Sequence, residues 1–447
     1  MEEILDYGQK KGASYIEILS SKNCRTKIEI AEKKIKEISS GNSKFYSIRL
    51  IYKQKVGMAY SYAFDFKKLV EKAIKNAKAN DTQTKFASLP LIKKRIKTKM
   101  KINPKNISLE EKKNDMLNLD IRNQFKKISS LKLIYGDNQS TYEFYNSEGS
   151  ELIWDDCSLG VIMWPFAKEG TNIQNFLKIE RIKGGYELME KARVSIKTAM
   201  EKAEEMLKTK SAKGGFFPTI VDHKLGGVFA HEAVGHACEA DHVLMGESIL
   251  KNKMNTEIGS NIINISDDGN IKTWGWTPFD SEGGKASKTQ LIKKGILCNW
   301  LHSRETAGQM GEETTGNGRA QNIGYKVIPR MTTTFIGPGD SNFEEMLSQI
   351  KKGYYLKGSL GGQVDTCTGE FLFNAQEGYY IEKGEIKYPI KGVSLTGNIL
   401  KTLHNIKLIA KDLDFGHGFC GKAGQHVPVS EGAPHVFIEK AQIGGSK

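Results

Sequence analysis

Hydrophobic and polar residues alternate in short runs along the first part of the chain, and such alternation is typical of β-strands. The runs are Ser14–Leu19, Thr26–Ile30, Ser47–Tyr52 and Val56–Ser61. A helix is predicted over Phe66–Ala79, because apolar residues recur there every three or four positions and Asp65 can cap the first turn. With a short helix at the N-terminus, these elements make a small α/β unit.

The middle of the chain shows the same alternation between two helices. A polar helical stretch near 109–125 opens this unit, and a long helix from Tyr186 to about Lys208 closes it. The strand-like runs between them are Leu131–Tyr135, Ser140–Asn146, Glu151–Trp154 and Ser158–Trp164. Lys213-Gly214-Gly215 then interrupts the pattern, which indicates a domain boundary.

Beyond this boundary, short strand-like runs are separated by glycines, which predicts a mostly antiparallel β domain with one or two helices. Its first strand is Phe217–Val221, and Asp222 can cap the helix that follows. The whole pattern predicts an α+β fold. Three domains are expected: an N-terminal α/β domain with a basic connector (1–105), a central α+β domain (106–213) and a β-rich C-terminal domain (214–447).

The formal net charge of +14 raises the question of a nucleic-acid partner. The densest basic run, Lys93–Lys105, contains no aromatic residue on which a base could stack, so it is interpreted as a solvated connector. No stretch approaches the roughly 18 apolar residues of a membrane span, and the acidic N-terminus is unlike a signal peptide. We therefore expect a cytoplasmic protein that binds neither nucleic acid nor membrane. The six cysteines form no CxxC pair, which predicts reduced thiols.

The motif that carries chemistry is His231-Glu232-Ala233-Val234-Gly235-His236, on a helix predicted to be buried. Two imidazoles with a carboxylate beside the first are typical of zinc hydrolases, in which the carboxylate takes a proton from the metal-bound water. Residues five apart lie about 140° apart around an ideal helix, against about 40° for the common four-residue spacing. The two histidines can therefore meet one metal only if the helix bulges or unwinds, and Gly235 is suited to that distortion.

A catalytic zinc ion needs a third protein ligand, and all nine histidines lie at or after residue 223. The most suggestive candidate is Cys420, because it lies in a glycine-rich loop and a cysteine beside zinc ionises to the thiolate that binds it. The other cysteines and several further residues compete with it. The latter are His223, Glu239, Asp241, His242, His302, His404, His417, His426 and His435.

Several sequence blocks resemble one family. HEAVGHACEAD at 231–241 is similar to the signature of the TldD/PmbA family of metallopeptidases. Further blocks fit in the right order: DSEG at 280–283, TGNGR at 315–319, RMTTT at 330–334 and GFCGK at 418–422. The first unit, from Lys11 through the Phe66 helix, resembles the family's N-terminal domain. The resemblance covers nearly the full length.

The resemblance implies that His231, His236 and Cys420 bind Zn²⁺ and that Glu232 is the catalytic base, as in the catalytic TldD-like subunit. It also implies hydrolysis of unfolded or flexible peptides, bound as an extended strand in a cavity enclosed by a dimer. The dimer is either a homodimer or a heterodimer with a TldE-like subunit.

Two other functions compete with this one. The first is a non-catalytic peptide-binding or assembly subunit with a structural metal, against which the intact Glu232 argues. The second is a basic nucleic-acid-binding protein, which predicts a concentrated positive face with interleaved aromatic residues. The sequence contains no such segment.

Overall fold

The computed structural model describes residues 1–445 and shows an α+β protein with three main sheets. The strands of the N-terminal half are β1 Ala13–Ala31, β2 Lys34–Tyr52, β3 Lys55–Ser61, β4 Lys93–Ile96, β5 Ile128–Asn146, β6 Glu151–Glu169, β7 Asn172–Asn175 and β8 Lys178–Ile182. The strands of the C-terminal half are β9 Lys210–Ser211, β10 Gly215–Val221, β11 Ile265–Asp268, β12 Lys288–Lys293, β13 Ile296–Leu297, β14 Gly318–Arg319, β15 Ile328–Pro329, β16 Thr333–Ile336, β17 Lys352–Lys357, β18 Gly362–Val364, β19 Glu370–Asn374, β20 Glu377–Glu382, β21 Glu385–Lys391, β22 Val393–Asn398, β23 Ile406–Ile409, β24 Asp414–Lys422, β25 Gln425–Ala433 and β26 Val436–Gly445.

Helices flank these sheets and connect their strands. The α-helices are α1 Glu2–Lys10, α2 Phe66–Ala79, α3 Leu109–Asn118, α4 Leu188–Met206, α5 His223–Val228, α6 Ala240–Met245, α7 Arg304–Met310, α8 Phe343–Ser348 and α9 Ile399–Asn405. A π-helical turn spans Phe229–Gly235, and 3₁₀ turns span Pro104–Asn106, Arg122–Gln124 and His236–Cys238. Among the described residues, no helix combines the length and the apolarity that crossing a membrane requires.

The first sheet has the strand order β3-β2-β1-β5-β6-β4, with β7 and β8 also paired to β6. Strands β1, β2, β5 and β6 each run for 19 residues, so the prediction of two shorter strands in each of β1, β5 and β6 is wrong. The strands continue through their polar centres because these residues bond across the sheet. The Ser140 hydroxyl, for example, donates to the Asn23 side chain at 2.6 Å, and both residues are buried.

Because β1 pairs with β5, strands from the first two predicted domains share this one sheet. The boundaries at 105 and 213 remain predictions. Part of the basic connector is a strand, because Lys93–Ile96 forms the exposed edge strand β4 beside β6.

Helix α2 begins and ends as the sequence predicts. The Asp65 carboxylate accepts the Lys68 N–H, and the apolar side of the helix, which includes Val70 and Ala73, is buried against β2 and β3. The longer helix α4 covers β6 in the same way. The first sheet is thus covered by helices that the spacing of apolar residues in the sequence predicts.

The C-terminal half contains a ten-stranded sheet of order β18-β19-β22-β26-β10-β17-β20-β21-β9, with β23 on β26. Beside it lies a six-stranded sheet of order β13-β12-β11-β16-β25-β24. Most pairs are antiparallel, as predicted, although β10 with β17 and β16 with β25 are parallel. The prediction of one or two helices is wrong, because this half contains α5 to α9. Each has six or seven residues, too few for a helical period to stand out.

The two halves meet through buried ion pairs. The Arg49 guanidinium on β2 donates to the carboxylates of Glu17 and Glu282 at 2.7 Å each. Arg304, at the start of α7, donates to the Glu148 carboxylate and to the Tyr15 hydroxyl. Apart from Glu148, whose side chain is 39% exposed, these side chains are buried. Removing Arg49 would therefore leave two uncompensated buried charges.

Candidate metal centre

The first motif histidine lies in a π-helical turn inside the largest hydrophobic core, and His236 directly follows this turn. Asp222 caps α5 by accepting the Leu225 N–H at 2.9 Å, and α5 continues directly into the turn. There the His236 N–H donates to the His231 carbonyl, five residues earlier. A π turn brings residues five apart to the same side. The expected bulge is therefore present, and the two imidazole centroids lie 5.3 Å apart with perpendicular rings.

Gly235 is required for a different reason from the one predicted. Its φ of −56° is ordinary helical backbone, so the turn does not depend on glycine's conformational freedom. A Cβ at this position would instead lie 1.9 Å from the Met331 sulfur. The missing side chain lets the turn approach the chain at Met331, which is itself fully buried.

Cys420 joins the two histidines from the strand β24. The hairpin of β24 and β25 places its Sγ atom 3.3 Å from His236 Nε2. One ligand atom from each of His231, His236 and Cys420 lies within 4.8 Å of the others, and all three side chains are buried. Across residues 1–445, none of the competing histidines, carboxylates or cysteines forms such a group with the two motif histidines.

The cluster has the properties of a metal site. Both ring nitrogens of His231 are buried and have no hydrogen-bond partner within the described chain, which is costly unless another group binds them. Two imidazole nitrogens and a thiolate are a typical zinc donor set, and three protein ligands leave one coordination position for water or substrate. The residues present therefore fit a catalytic zinc ion.

The electrostatics of Cys420 differ from those of an ordinary buried cysteine. Burial raises the pKa of the Cys157 thiol to about 12. Burial acts in the same direction on Cys420, but the neighbouring His236 and His231 outweigh it and hold the Cys420 pKa well below its usual value. The surroundings of Cys420 thus favour the thiolate, which is the form that binds metals.

Glu232 lies beside the cluster and retains contact with solvent. Its Oε2 atom is 3.5 Å from His236 Nε2, and its side chain is 26% exposed, whereas that of His236 is 8% exposed. A carboxylate in this position can reach both the metal ligands and an incoming water. The prediction that Glu232 serves as a base is compatible with this placement.

Charged residues form a second layer around the cluster, and the sequence did not predict this role for them. The fully buried Glu239 carboxylate contacts His236 Nδ1 at 2.8 Å and accepts from the Lys422 ammonium at 3.0 Å. Burial opposes its ionisation, but His236 and Lys422 outweigh burial and lower the Glu239 pKa to about 2. Glu239 thus contacts the Nδ1 side of the His236 ring, and Nε2 of that ring faces the cluster.

The spacing could have indicated this arrangement. Glu239 lies three residues after His236, and Lys422 lies two residues after Cys420 on the same side of β24. Lys422 also contacts the Asp241 carboxylate at 2.7 Å. No local sequence pattern indicated a role for two further buried residues, Arg330 and Glu431. Arg330 donates to the Cys420 carbonyl, and burial raises the pKa of Glu431 to about 7.

A cavity of about 490 Å³ has strand β24 in its wall, and none of the cluster's ligands line it. Residues of both halves line it, among them Tyr142 and Trp154 from the first sheet and Trp274 and Phe419 from the C-terminal half. Phe419 directly precedes Cys420, so the cavity and the metal cluster share the strand β24. Mixed polar and aromatic walls of this kind are common in ligand-binding cavities.

A buried cluster of two imidazoles and a thiolate beside a carboxylate, in an α+β fold, defines the class of metal-dependent hydrolases. Comparison with known proteins agrees. Residues 214–445 match the family model described as PmbA/TldA metallopeptidase C-terminal domain, and residues 16–77 match the model of domain 1. The chain belongs to the PmbA/TldD family of metallopeptidases.

Curated relatives and solved structures extend over nearly the whole chain. A metalloprotease of Methanocaldococcus jannaschii is 39% identical, covering 97% of this chain and 96% of its own. A zinc metalloprotease TldD homolog of Saccharolobus solfataricus is 32% identical over the full length of both chains. The fold is shared with a putative modulator of a DNA gyrase from Thermotoga maritima (TM-score 0.82, 20% identity, 99% of each chain) and with TldE from Thermococcus kodakarensis (TM-score 0.79, 20% identity, 100% of each chain). The names of the relatives imply a metal-dependent peptidase.

Proposed function

We propose that this chain is a zinc-dependent peptidase whose metal is held by His231, His236 and Cys420. The observation that carries the proposal is the convergence of these three side chains with Glu232 at one buried place. A zinc ion bound there would supply a Lewis acid and lower the pKa of a water to about 7. Glu232 takes the proton of the attacking water and passes it to the leaving amine.

The alternative function, a non-catalytic subunit with a structural metal, fits the site less well. Structural zinc sites have four protein ligands, whereas within the described residues three converge here. A partly exposed carboxylate beside the ligands has no purpose in a closed structural site. The geometry therefore supports catalysis.

We propose that the substrate is an unfolded or flexible peptide that binds as an extended strand along β24. Within residues 1–445, β24 is the last strand of its sheet, with β25 on one side and no strand on the other. It carries Cys420, so a peptide paired to its free edge would pass close to the metal ligands. Pairing of this kind uses backbone hydrogen bonds, which gives affinity for extended chains with little dependence on sequence.

The enclosing partner in this proposal is a second subunit, either another copy of this chain or a TldE-like chain. The shared fold with TldE supports a subunit of similar shape. Sedimentation of the purified chain, alone and mixed with a TldE-like protein, would distinguish the two assemblies. The cytoplasmic location remains a prediction.

The test compares metal content and cleavage of an unfolded peptide in three proteins: the parent, Glu232→Gln and the control Glu344→Gln. Glu344 is an exposed carboxylate on α8, a helix that supplies none of the residues placed around the cluster, so its loss should change neither property. We expect one zinc per chain in the tight site of all three and cleavage in all but Glu232→Gln. Undiminished cleavage by Glu232→Gln would contradict the assigned base.

Strand binding is tested separately with peptides that are N-methylated at single backbone positions. Methylation removes an N–H donor without changing the side chain. Methylation near the scissile bond should abolish cleavage, whereas side-chain changes at the same positions should have small effects. Equal sensitivity to both kinds of change would argue for recognition of side chains instead.

A further inference from the structure

A second group of metal-ligating side chains lies near the protein surface, apart from the first. His223, Asp412 and His435 each offer one ligand atom within 4.8 Å of the others. We propose that these three residues form a second site for a divalent transition-metal ion, with Zn²⁺ the fitting choice. The proposal does not depend on peptidase activity, because it concerns only the binding of a metal.

The hydrogen bonds of His223 direct one of its nitrogens toward this group. Its Nδ1 lies 3.0 Å from the Ala433 carbonyl oxygen, and a carbonyl can only accept. Nδ1 therefore carries the hydrogen, and in the neutral ring the lone pair is on Nε2. That atom faces the Asp412 Oδ2 atom at 4.0 Å. A lone pair opposite a carboxylate is unfavourable unless a proton or a metal cation lies between them, and this separation leaves room for a metal ion.

The two other residues present their donor atoms from the opposite side. Asp412 Oδ2 is 2.7 Å from His435 Nδ1, and Asp412 Oδ1 accepts the backbone N–H of His435 at 3.1 Å. The far nitrogen of His435, Nε2, lies 2.8 Å from the Tyr355 hydroxyl. Because a carboxylate only accepts, His435 Nδ1 donates to Asp412 in this structure, and Nε2 of the neutral ring accepts from the Tyr355 hydroxyl. A metal ion would displace the Nδ1 proton, after which Nε2–H would donate to the hydroxyl, as is usual for metal-ligating histidines.

The separations suit one ion after small movements. Ligand nitrogens and oxygens lie about 2.0–2.2 Å from zinc, so neighbouring ligand atoms of a tetrahedral site are about 3.3–3.5 Å apart. The observed separations of 2.7 Å and 4.0 Å from Asp412 Oδ2 to the two histidines bracket this value. Two imidazoles and one carboxylate bind zinc and its neighbours in the first transition series.

The position of this second group gives it a structural consequence. His223 begins the helix that leads to His231, eight residues later, and Asp412 precedes Cys420 by eight residues. The two elements that supply the first site are therefore also linked at their outer ends by the second. Because Asp412 is 47% exposed and the second group contains no thiolate, its metal should bind more weakly and exchange faster than the first.

The test is a titration of the metal-free full-length chain with Zn²⁺, followed by calorimetry, and with Co²⁺, followed by absorption. We expect two equivalents, of which only the tighter gives a thiolate-to-cobalt charge-transfer band. Cys420→Ala should lose the tight equivalent and this band. His223→Gln and His435→Gln should each lose the weaker equivalent and retain the band. His404→Gln removes an exposed histidine outside both groups, and it should retain both equivalents.

A single equivalent in the parent that gives the charge-transfer band overturns the proposal and leaves the group as an Asp412–His435 ion pair beside His223. Persistence of the weaker equivalent in both histidine variants also overturns it. Circular dichroism of each metal-free variant establishes that the fold is kept, so that a lost equivalent reports lost ligands. Failure of the first site would remove the charge-transfer band in the parent, which distinguishes it from failure of the second.

Discussion

Replacing Glu239 by glutamine should weaken metal binding without changing any ligand. Glu239 is fully buried, contacts His236 Nδ1 at 2.8 Å and is ionised at neutral pH, because its pKa is about 2. Its negative charge makes the His236 ring a stronger ligand and fixes which nitrogen faces the cluster. Glutamine keeps the size of the side chain, and its amide oxygen in the place of Oε2 can still accept from both His236 and Lys422, but the negative charge is lost.

The expected magnitude follows from outer-layer partners of metal-binding histidines, whose loss costs about 10- to 100-fold in metal affinity. This range corresponds to about 1.4–2.7 kcal/mol at 25 °C. Glu239→Gln should lie toward the upper end, because it also removes one of the two carboxylates that hold Lys422, a residue on the strand of Cys420.

The assay is competition for Zn²⁺ between the protein and a chromogenic chelator, with Glu344→Gln on α8 as the control for loss of an exposed carboxylate. Urea denaturation of the metal-free proteins separates lost affinity from lost stability. A zinc dissociation constant for Glu239→Gln within twofold of that of the control would refute the reasoning. In that case the contact between Glu239 and His236 would be structural only.

Three further predictions concern the folded chain. Gly235→Ala should destabilise the metal-free protein by about 1–3 kcal/mol in urea denaturation, because the new methyl overlaps Met331, whereas Gly41→Ala, which has open space around it, should be neutral. Arg49→Met should lower the free energy of unfolding by about 3–5 kcal/mol in the same assay, since two buried carboxylates lose their partner. Burial raises the pKa of Glu431 to about 7, above the value of about 4.3 for an exposed glutamate, so the folded state binds this proton more tightly than the unfolded state. The stability that this proton contributes is therefore lost as the pH rises from about 4 to about 7. The metal-free Glu431→Gln variant should be more stable than its parent at pH 8, and this advantage should disappear at pH 5. An equal difference in stability at both pH values would contradict this assignment.

The parts of the fold that the sequence predicted correctly are those governed by neighbouring residues. The α2 helix has both an apolar period and the Asp65 cap, and its bounds matched. The merged strands of the first sheet could not be predicted in this way. Their polar centres, around Asn23 in β1 and Ser140 in β5, are satisfied by partners more than a hundred positions away, which a local pattern does not reveal.

The candidate metal site shows the same division between local and distant information. The unusual spacing of His231 and His236 required a distortion of the helix, and this followed from helix geometry alone. The role of Gly235 was predicted for the wrong reason, because Met331, almost a hundred positions away, packs where a side chain of residue 235 would be. A glycine in a motif can thus serve a neighbour's packing while its own backbone is ordinary.

The arrangement around His236 explains why a five-residue spacing can serve a metal site at all. The π turn aligns the two imidazoles, but it also exposes backbone groups that an α-helix would pair, so it must be held by its surroundings. Glu239 binds the far side of the His236 ring, and Lys422 links that carboxylate to the hairpin that carries Cys420. A charged bridge therefore connects the turn to the strand, and each ligand is positioned through the other's element. If this view is correct, Lys422→Met should weaken zinc binding although it contacts no ligand, and a charge-preserving Lys422→Arg should recover part of the loss.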